Sequence, residues 1–310
     1  MKTATVIGSG PNGLAAAIVL ASAGISTTVI ERNQQIGGAC STAEITLPGY
    51  RHDLGSSVYP LGIASPFFRS LPMDIPWIEP SAPCAHPLDD GTAVLLEHSI
   101  DETVENLDSS DRRKYRSLLE PLAEHFSELT MDLLGPILHL PQQPLLLGRF
   151  GLSALIPAAS LARSRFSGVR ARALFAGMAA HSVLSLESSG SAATALVLMA
   201  AGHSSGWPIV RGGAQMLTDA LAFHFESLGG HIETRHEVIQ LPETALILAD
   251  LTPRQLLRIA GSRLPAAYRQ QLEEFKYRAG AFKIDYALKS PIRGRRRSAP
   301  VPLPFTSEEL

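Results

Sequence analysis

Residues 3–32 run TATVIGSGPNGLAAAIVLASAGISTTVIER, and this stretch decides the fold. Thr3–Ile7 predict a short buried strand, the Ala-rich residues 14–23 a helix, and the β-branched residues 26–30 a second strand. Between the first strand and the helix, positions 8–13 fit the glycine pattern G-x-G-x-x-G. A strand, this turn, a helix and a second strand together predict a Rossmann-type α/β unit that binds a dinucleotide.

Each glycine of the pattern has a physical role. Gly8 permits the tight turn out of the strand, Gly10 lets the backbone approach a pyrophosphate, and Gly13 lets the helix pack closely on the sheet. The N-terminus of the helix presents unpaired N–H groups and the positive end of the helix dipole to the phosphates.

An acidic residue completes this pattern. Glu31 follows Gly8 by 23 positions and ends the second predicted strand, where its carboxylate can accept hydrogen bonds from ribose hydroxyls and repel a 2′-phosphate. A secretory signal peptide is the alternative, because Lys2, an apolar stretch and Ala-Ser-Ala at 21–23 imitate its three regions. The glycines and Pro11 would break that apolar stretch, which favours the nucleotide interpretation.

The composition is that of an ordered globular chain. Among 310 residues, 45% are hydrophobic and 18% charged, and the net charge of −2 gives no indication of a nucleic-acid partner. The two cysteines, Cys40 and Cys84, form neither a disulfide framework nor a metal cluster, so no metal site is expected and a reducing compartment is favoured. No apolar stretch is long enough to predict a membrane-spanning helix.

Three further segments narrow the choice of dinucleotide. Residues 31–39 read ERNQQIGGA, residues 49–57 read GYRHDLGSS, and residues 207–213 read WPIVRGG before a predicted helix over 214–228 and the sequence GGHI. These segments resemble the extended cofactor motifs of the amine oxidase and phytoene desaturase superfamily, in particular its phytoene dehydrogenase-related branch of FAD-dependent oxidoreductases. The resemblance covers residues 1 to about 290.

The resemblance implies a fold, a cofactor and a set of binding residues. The fold is α/β: a Rossmann-like FAD-binding domain of the two-dinucleotide-fold type, joined to a discontinuous, largely helical α+β substrate domain. FAD is the implied cofactor. Its predicted contacts are Gly8, Gly10, Pro11, Asn12, Gly13, Glu31, Arg32, Gly37, Gly38, Ala39, Asp53, Gly55, Ser56 and Ser57.

The family also suggests partners and a location. A small apolar or lipid-like substrate is implied, without nucleic acid or an integral membrane segment, although peripheral association with a membrane is compatible with the sequence. The family's vertebrate member is linked to mitochondrial protein partners. A bacterial chain of this kind is expected in the cytoplasm and a eukaryotic one in the mitochondrial matrix.

Two features depart from the family pattern. There is no second G-x-G-x-x-G, so a pyridine nucleotide has no domain of its own. The family's C-terminal glycine-rich segment has no counterpart, and residues 291–310 form an atypical Pro/Arg-rich tail that is expected to pack poorly. We therefore expect a C-terminally truncated enzyme with weakened affinity for FAD.

The predicted domains are discontinuous. Residues 1–70 and 206–260 are assigned to the FAD-binding part, 71–205 to a mainly helical substrate domain, and 261–290 to a helix and a strand of that domain. The strand is predicted over 282–288 from its period-two alternation.

The middle of the chain contains apolar helices and weak catalytic candidates. Helices are predicted from Ser110 to Leu134 with a break at Pro121, and again within residues 153–177 and 191–201. Leucine-rich segments at 133–138 and 145–147 indicate either an apolar wall for a substrate or ordinary core. Arg163, Arg165, Arg170 and Arg172 predict one locally basic, solvated helix.

His181 is the weak candidate for a catalytic residue, since a histidine near a flavin can position a substrate or carry a proton. A structurally hydrogen-bonded histidine is the alternative. His203, near Trp207, is a weaker candidate of the same kind. No catalytic dyad is visible, which agrees with a flavin that carries the chemistry itself.

The sequence therefore favours an FAD-dependent oxidoreductase of the dehydrogenase or desaturase type. Two alternatives stay open: a catalytically incompetent fragment or interaction protein that keeps a nucleotide-binding fold, and an NAD-dependent dehydrogenase. The glycine pair after Glu31 argues against the last.

Overall fold

The computed structural model describes residues 2–136, 138–277 and 280–290, together with the backbone of 294–296 and 299–301. The strands are β1 (Thr3–Ile7), β2 (Ser26–Ile30), β3 (Thr42–Ala43), β4 (His52–Asp53), β5 (Trp77–Ile78), β6 (Cys84–Pro87), β7 (Ala93–Leu96), β8 (Ile209–Val210), β9 (His231–Glu233), β10 (Leu246–Ala249), β11 (Gly294–Arg296) and β12 (Ala299–Val301). The helices are α1 (Pro11–Ser22), α2 (Pro60–Ala64), α3 (Pro66–Ser70), α4 (Ile100–Glu105), α5 (Ser109–Glu124), α6 (Phe126–Leu134), α7 (Pro144–Ala154), α8 (Ala158–Arg165), α9 (Val169–Ala180), α10 (Ser191–Ser204), α11 (Gln215–Ser227), α12 (Pro253–Ala260) and α13 (Ala266–Glu273), with a short 3₁₀ turn at Gly261–Arg263.

The chain divides into two compact units. Unit 1 contains Met1–Ser57, Pro72–Pro76 and Val210–Ala287, and unit 2 contains Val58–Leu71, Trp77–Ile209 and Leu288–Leu310. The structure thus groups residues up to Ala287 with the first strands, whereas the sequence assigned 261–290 to the substrate domain. The difference arises because α12 and α13 pack on each other, and α12 buries Ile259 and Ala260 next to Ile7 of β1.

Unit 1 is built on a parallel sheet with the strand order β10-β1-β2-β9. Ile7 pairs with both Ile30 and Ala249, so the carboxyl ends of β1, β2 and β10 are aligned at one edge. Val6 and Val29 are fully buried, as the β-branched strands predict. In an open parallel sheet this edge is where ligands bind. The Rossmann-like α/β fold is confirmed.

Helix α1 connects β1 to β2 and begins earlier than the apolar pattern alone indicates. Gly10 is the N-cap and Pro11 occupies the first helical position, where its missing N–H costs nothing. Leu14, Ala17 and Ile18 are buried against the sheet and α11.

The strand predicted over 282–288 for the substrate domain is wrong. Residues 282–288 form no strand, and Phe282 is 91% exposed. Alternation of apolar and polar residues identifies a strand only where a partner supplies the ladder of backbone hydrogen bonds, and none of the described segments does so. Most of the predicted tail, 291–310, lies outside the described residues; its described backbone forms an antiparallel pair, β11 with β12.

Unit 2 is mainly helical. Helix α10 lies at its centre, with Ala195, Leu196 and Met199 fully buried, and it packs against α5, α7 and α9. The hairpin of β6 and β7 packs on α9. The core around α10 is continuous and contains large buried side chains such as Tyr115 and Phe175. Within the described residues, no single helix is long and apolar enough to cross a membrane, but α7 and α8 pass that test together despite a bend of 102° between them.

Two helix predictions for unit 2 need correction. The helix over 110–134 is interrupted at His125, between α5 and α6, and not at Pro121, which lies inside α5. Pro121 removes one backbone donor, and the helix ends one turn later. The four arginines at 163–172 lie on two helices, α8 and α9. Arg170 is partly buried: its Nε donates to the Asn106 carbonyl and its Nη1 to Thr92 Oγ1.

Candidate dinucleotide site

The glycine loop lies at the carboxyl edge of the sheet in unit 1. Gly8 has a φ of +105°, and a Cβ there would lie 2.7 Å from the carbonyl oxygen of Asp250. A Cβ on Gly13 would lie 2.2 Å from the carbonyl oxygen of Gly8. Both positions therefore exclude any side chain, and helix α1 approaches β1 as closely as the glycine pattern predicts.

Ser9 connects the glycine loop to Glu31. The Ser9 N–H and hydroxyl both donate to Glu31 Oε2, at 3.1 and 2.7 Å, and both residues are buried. Asn33 donates from its N–H and its side-chain amide to Glu31 Oε1, at 2.9 and 2.8 Å. A carboxylate offers about four lone-pair sites. All four are used within the protein, so the carboxylate that ends β2 is held in a fixed orientation.

A second glycine turn lies directly over the first. The Gly37 N–H donates to the Ser9 carbonyl at 3.1 Å, and a Cβ on Gly38 would lie 3.6 Å from the Cα of Gly10. Gly37 has a φ of +109°, and a Cβ there would lie 2.6 Å from the Cys40 carbonyl oxygen. The two turns thus form one glycine-lined wall in which the backbone is accessible.

A cavity of about 560 Å³ opens beside this wall. Eight of the predicted cofactor residues line it: Gly8, Gly10, Pro11, Asn12, Glu31, Arg32, Gly38 and Ala39. Its size is that of an ordinary small-molecule site. On the opposite side, the segment after β9 and helix α12 contribute residues that the sequence did not indicate, among them His236, Glu237, Gln255 and Arg258. Arg258 Nη2 donates to Glu237 Oε1 at 2.6 Å.

Asp250 is the most informative residue that sequence reasoning missed. It follows β10, lines the cavity, and its Oδ2 accepts a hydrogen bond from the Gly13 N–H at 3.0 Å. It therefore caps the first turn of α1 from a neighbouring strand. Its position just after a strand parallel to β1 is the available signal, because carboxyl ends of parallel strands share one edge.

The other predicted cofactor residues lie behind this wall. Asp53 Oδ1 accepts from Thr42 Oγ1 at 2.6 Å and from the Ala214 N–H at 2.8 Å, so it caps helix α11. The Ser56 N–H donates to the Ala39 carbonyl, and a Cβ on Gly55 would lie 2.5 Å from the same oxygen. This segment, which ends at Ser57, supports the loop that lines the cavity. Gly13 and Gly37 also support the cavity wall without lining it, because each lets a backbone carbonyl approach closely.

The histidine candidates both lie in unit 2. His181 ends α9, is exposed, and its ring meets the Trp207 ring edge to face at 5.7 Å. His203 is partly buried: the Tyr115 hydroxyl lies 2.7 Å from its Nε2, and its Nδ1 lies 3.2 Å from the His98 carbonyl. Burial lowers the pKa of His203 to about 4 and raises that of Tyr115. His203 is therefore a neutral, hydrogen-bonded histidine of the core.

The fold and this site define a class of protein: one with a Rossmann-like dinucleotide-binding domain. Residues 6–71 match the family model described as NAD(P)-binding Rossmann-like domain. The match begins in β1 and includes both glycine turns and Glu31.

Particular relatives agree with this class. The chain is 37% identical over 97 residues to 1-hydroxycarotenoid 3,4-desaturase of Flavobacterium sp. (strain P99-3). This alignment covers 30% of this chain and 20% of the relative. The chain is also 49% identical over 53 residues to pyridine nucleotide-disulfide oxidoreductase domain-containing protein 2 of mouse. This second alignment covers 17% of this chain and 9% of the relative. The similarity to phytoene dehydrogenase-related proteins that the motifs indicated is confirmed.

A solved structure extends the likeness beyond the first domain. An oxidoreductase from Methanosarcina mazei superposes with a TM-score of 0.60 at 18% identity, over 88% of this chain and 65% of that one. At this identity the likeness concerns the fold alone. This chain therefore spans less than two thirds of the solved relative, and its alignments with the two curated relatives span a fifth of their length or less.

Proposed function

We propose that this chain is an FAD-dependent oxidoreductase that binds the adenosine half of FAD in the cavity beside the glycine loop. The observation that carries the proposal is the joint position of the two glycine turns and the Glu31 carboxylate on one wall of a cavity. A single G-x-G-x-x-G turn serves NAD as well as FAD. The second turn adds the exposed backbone of Gly38 to the cavity wall, and we infer that this added backbone serves a longer dinucleotide such as FAD.

The residues present fit the cofactor. Glycines at 8, 10 and 38 leave the backbone open to a pyrophosphate, and Arg32 adds positive charge to the cavity. Asp250 already accepts the Gly13 N–H, so we infer that the phosphates use the other N–H groups at the start of α1. The Glu31 carboxylate accepts ribose hydroxyls. Since the side-chain amide of Asn33 occupies one lone pair of Glu31, we infer that this amide gives way when a ribose hydroxyl binds.

The flavin, when bound, supplies the isoalloxazine ring that accepts a hydride or an electron pair. The chain's own residues bind and orient it. We propose an apolar organic substrate, because the flavobacterial relative is a carotenoid desaturase. In this proposal His181, which is exposed at the end of α9 with its ring against Trp207, positions the substrate. The contacts of Asp53, Gly55, Ser56 and Ser57 to the cofactor would be indirect, through Ala39 and helix α11.

The experiment is flavin reconstitution. The purified chain is incubated with FAD, freed of unbound cofactor, and its visible absorption spectrum is recorded before and after denaturation. The proposal predicts flavin absorption that is released on denaturation, and an affinity that falls about tenfold or more in Glu31→Gln, where one charged acceptor is lost. Glu226→Gln, an exposed carboxylate on α11, is the matched control and should bind as the wild type does.

A chain that folds but takes up no FAD at any concentration would contradict the proposal and favour a nucleotide fold without catalysis. Binding of NAD⁺ with no binding of FAD would favour a dehydrogenase. Oxidation of a carotenoid-like substrate by the reconstituted chain, lost in His181→Ala with FAD binding intact, would support the role of His181; unchanged turnover would remove it.

A further inference from the structure

Asp250 places a carboxylate inside the candidate dinucleotide site, beside the start of helix α1. The residue follows β10, is exposed, and lines the cavity of about 560 Å³. Its Oδ2 accepts the Gly13 N–H at 3.0 Å. The N-terminus of a helix favours an anion, because its N–H groups are unpaired and the positive end of its dipole lies there. The protein thus holds an anion of its own next to the backbone that the phosphates of FAD are proposed to contact.

The glycine loop leaves few backbone donors for a phosphate. Three of its N–H groups already donate within the protein, to one carbonyl and two carboxylates: those of Gly8, Ser9 and Gly13. Pro11 has no N–H. Among the described residues, nothing accepts from the N–H groups of Gly10 and Asn12, so these two groups are the ones left for a phosphate.

The Gly10 N–H lies close to the Asp250 carboxylate. A Cβ on Gly10 would lie 3.1 Å from Asp250 Oδ2. Because a Cβ is about 2.5 Å from the nitrogen of its own residue, Oδ2 lies no more than about 6 Å from the Gly10 nitrogen. A phosphate oxygen that accepts from this nitrogen is therefore at most about one Debye length from the carboxylate, roughly 8 Å at physiological salt. At this separation the two negative charges repel each other.

The other charges of the cavity do not neutralise Asp250. The lining contains three carboxylates and two guanidinium groups, those of Glu31, Glu237, Asp250, Arg32 and Arg258. Arg258 Nη2 donates to Glu237 Oε1 at 2.6 Å, so these two charges compensate each other. Within the described part of the chain, no lysine or arginine forms an ion pair with Asp250. Its charge therefore acts on whatever the cavity binds.

The strength of this repulsion depends on the charge of the ligand's phosphates. Each phosphate of FAD is bonded on two sides and carries a single negative charge. A nucleotide such as ADP ends in a terminal phosphate, which ionises a second time near neutral pH and so carries more charge. A fixed carboxylate beside the phosphates therefore disfavours ADP more than it disfavours FAD.

We propose that Asp250 is a specificity-determining residue, whose charge makes the cavity prefer a dinucleotide over a nucleotide that ends in a phosphate. This inference rests on the proposed binding of FAD. The hydrogen bond from the Gly13 N–H holds the carboxylate at the start of α1, and the negative charge of the carboxylate discriminates between the ligands. Discrimination by repulsion lowers the affinity for every phosphate ligand, but it lowers the affinity for the more highly charged one further.

The experiment compares Asp250→Asn with the wild type in calorimetric titrations of the full chain with FAD, ADP, adenosine and inorganic pyrophosphate, without divalent cations. Asparagine has nearly the same shape, and its Oδ1 can still accept the Gly13 N–H, so the substitution removes the charge alone. The proposal predicts that Asp250→Asn binds ADP about tenfold and FAD about threefold more tightly, with adenosine unchanged. Both gains should shrink at high salt. Asp74→Asn, an exposed aspartate of unit 1 outside the cavity lining, is the matched control and should bind as the wild type does.

Circular dichroism melts show whether the hydrogen bond to Gly13 is kept. Asp250→Asn should melt as the wild type does, whereas Asp250→Ala, which offers no acceptor to the Gly13 N–H, should melt at a lower temperature. Equal or weaker binding of ADP by Asp250→Asn would overturn the proposal, as would gains of the same size for ADP and adenosine or for ADP and FAD. Weaker binding of FAD by Asp250→Asn would assign the carboxylate to a hydroxyl of the cofactor and would also overturn it.

Inorganic pyrophosphate separates this proposal from the proposed function. If Asp250→Asn binds pyrophosphate more tightly than the wild type but neither protein binds FAD, the proposed binding of FAD is contradicted while the repulsion by Asp250 is supported. If FAD binds and the affinity for ADP is the same in both proteins, the role of Asp250 is contradicted and the proposed function stands. A folded Asp250→Asn variant that binds none of the phosphate ligands would contradict both.

Discussion

Replacement of Gly13 by alanine tests whether the close approach of α1 to β1 is a requirement of the fold. Gly13 lies inside a helix with ordinary helical φ, so alanine should favour the helix by about 1 kcal/mol on propensity alone. Its Cβ, however, would lie 2.2 Å from the Gly8 carbonyl oxygen. Propensity and packing thus predict opposite signs for the same substitution.

The geometry indicates that packing dominates. Contacts below 3.0 Å are essentially never seen for a Cβ atom, so the gap between 2.2 and 3.0 Å, about 0.8 Å, must be opened between two backbone segments. Overpacking of this kind costs about 1–3 kcal/mol. After the gain in propensity, we expect a net loss of about 1–2 kcal/mol, which corresponds to a fall in melting temperature of about 2–8 °C.

Gly151→Ala is the matched control. Gly151 also lies inside a helix, α7, but a Cβ there would meet no atom within 4 Å. Here propensity acts alone, and the free energy of unfolding should rise by about 0.5–1 kcal/mol. Thermal and urea denaturation followed by far-ultraviolet circular dichroism measure both variants, and FAD affinity is measured beside them.

The decisive result is the sign of the change in the free energy of unfolding, which should differ between the two variants. Gly13→Ala should be destabilised and should bind FAD more weakly, because the Gly8 carbonyl and the loop move apart, whereas Gly151→Ala should be stabilised with FAD binding unchanged. If Gly13→Ala were as stable as Gly151→Ala, the close packing of the glycine loop would not be a constraint, and the physical basis of the site would be wrong.

Three further predictions concern single polar groups. The pKa of His203 falls to about 4 on folding, so as the pH is lowered the unfolded chain takes up this proton before the folded chain does. The contribution of His203 to the free energy of unfolding should be full above pH 6.5 and should decrease by about 3 kcal/mol as the pH falls to 4. Urea titrations of His203→Gln should show a weaker dependence of the free energy of unfolding on pH. Asp111 is buried and its Oδ2 accepts from the Gly168 N–H at 2.6 Å, so Asp111→Asn should cost about 1–3 kcal/mol in urea unfolding, whereas the exposed control Asp74→Asn should change little. Asn33→Ala frees a lone pair of Glu31 and should tighten FAD binding about twofold to tenfold by calorimetry; weaker binding would show that Asn33 orients Glu31 for the ribose.

Much of the nucleotide unit could be predicted because its signals are local. The strands β1 and β2 have the predicted bounds, because each is a short run rich in β-branched residues, which Gly8 ends after β1 and which follows Gly24 by one residue in β2. The start of α12 has a local signal of the same kind: Thr252 is the N-cap, Pro253 is the first helical residue, and Gln255 completes a capping box that depends on residues three apart.

The features that were not predicted depend on contacts between residues far apart in the chain, which a single sequence does not display. Asp250 caps a residue 237 positions earlier in the chain, so its role follows only from the order of strands in the sheet. The alternation over 282–288 resembles a strand but lacks a partner among the described residues. Leu145 and Leu147 are the same residue type on the same helix, yet Leu145 is exposed and Leu147 packs on the core. Tertiary packing decides which face of α7 is covered.

The central claim is that the cavity beside the glycine loop binds the adenosine half of FAD. Isothermal titration calorimetry of the purified chain with FAD, repeated with saturating ADP, tests it most directly. The account predicts one FAD bound per chain, with ADP in competition and with weaker binding of both ligands in Glu31→Gln. FAD binding that ADP leaves unchanged, or no binding of either ligand to the folded chain, would contradict it.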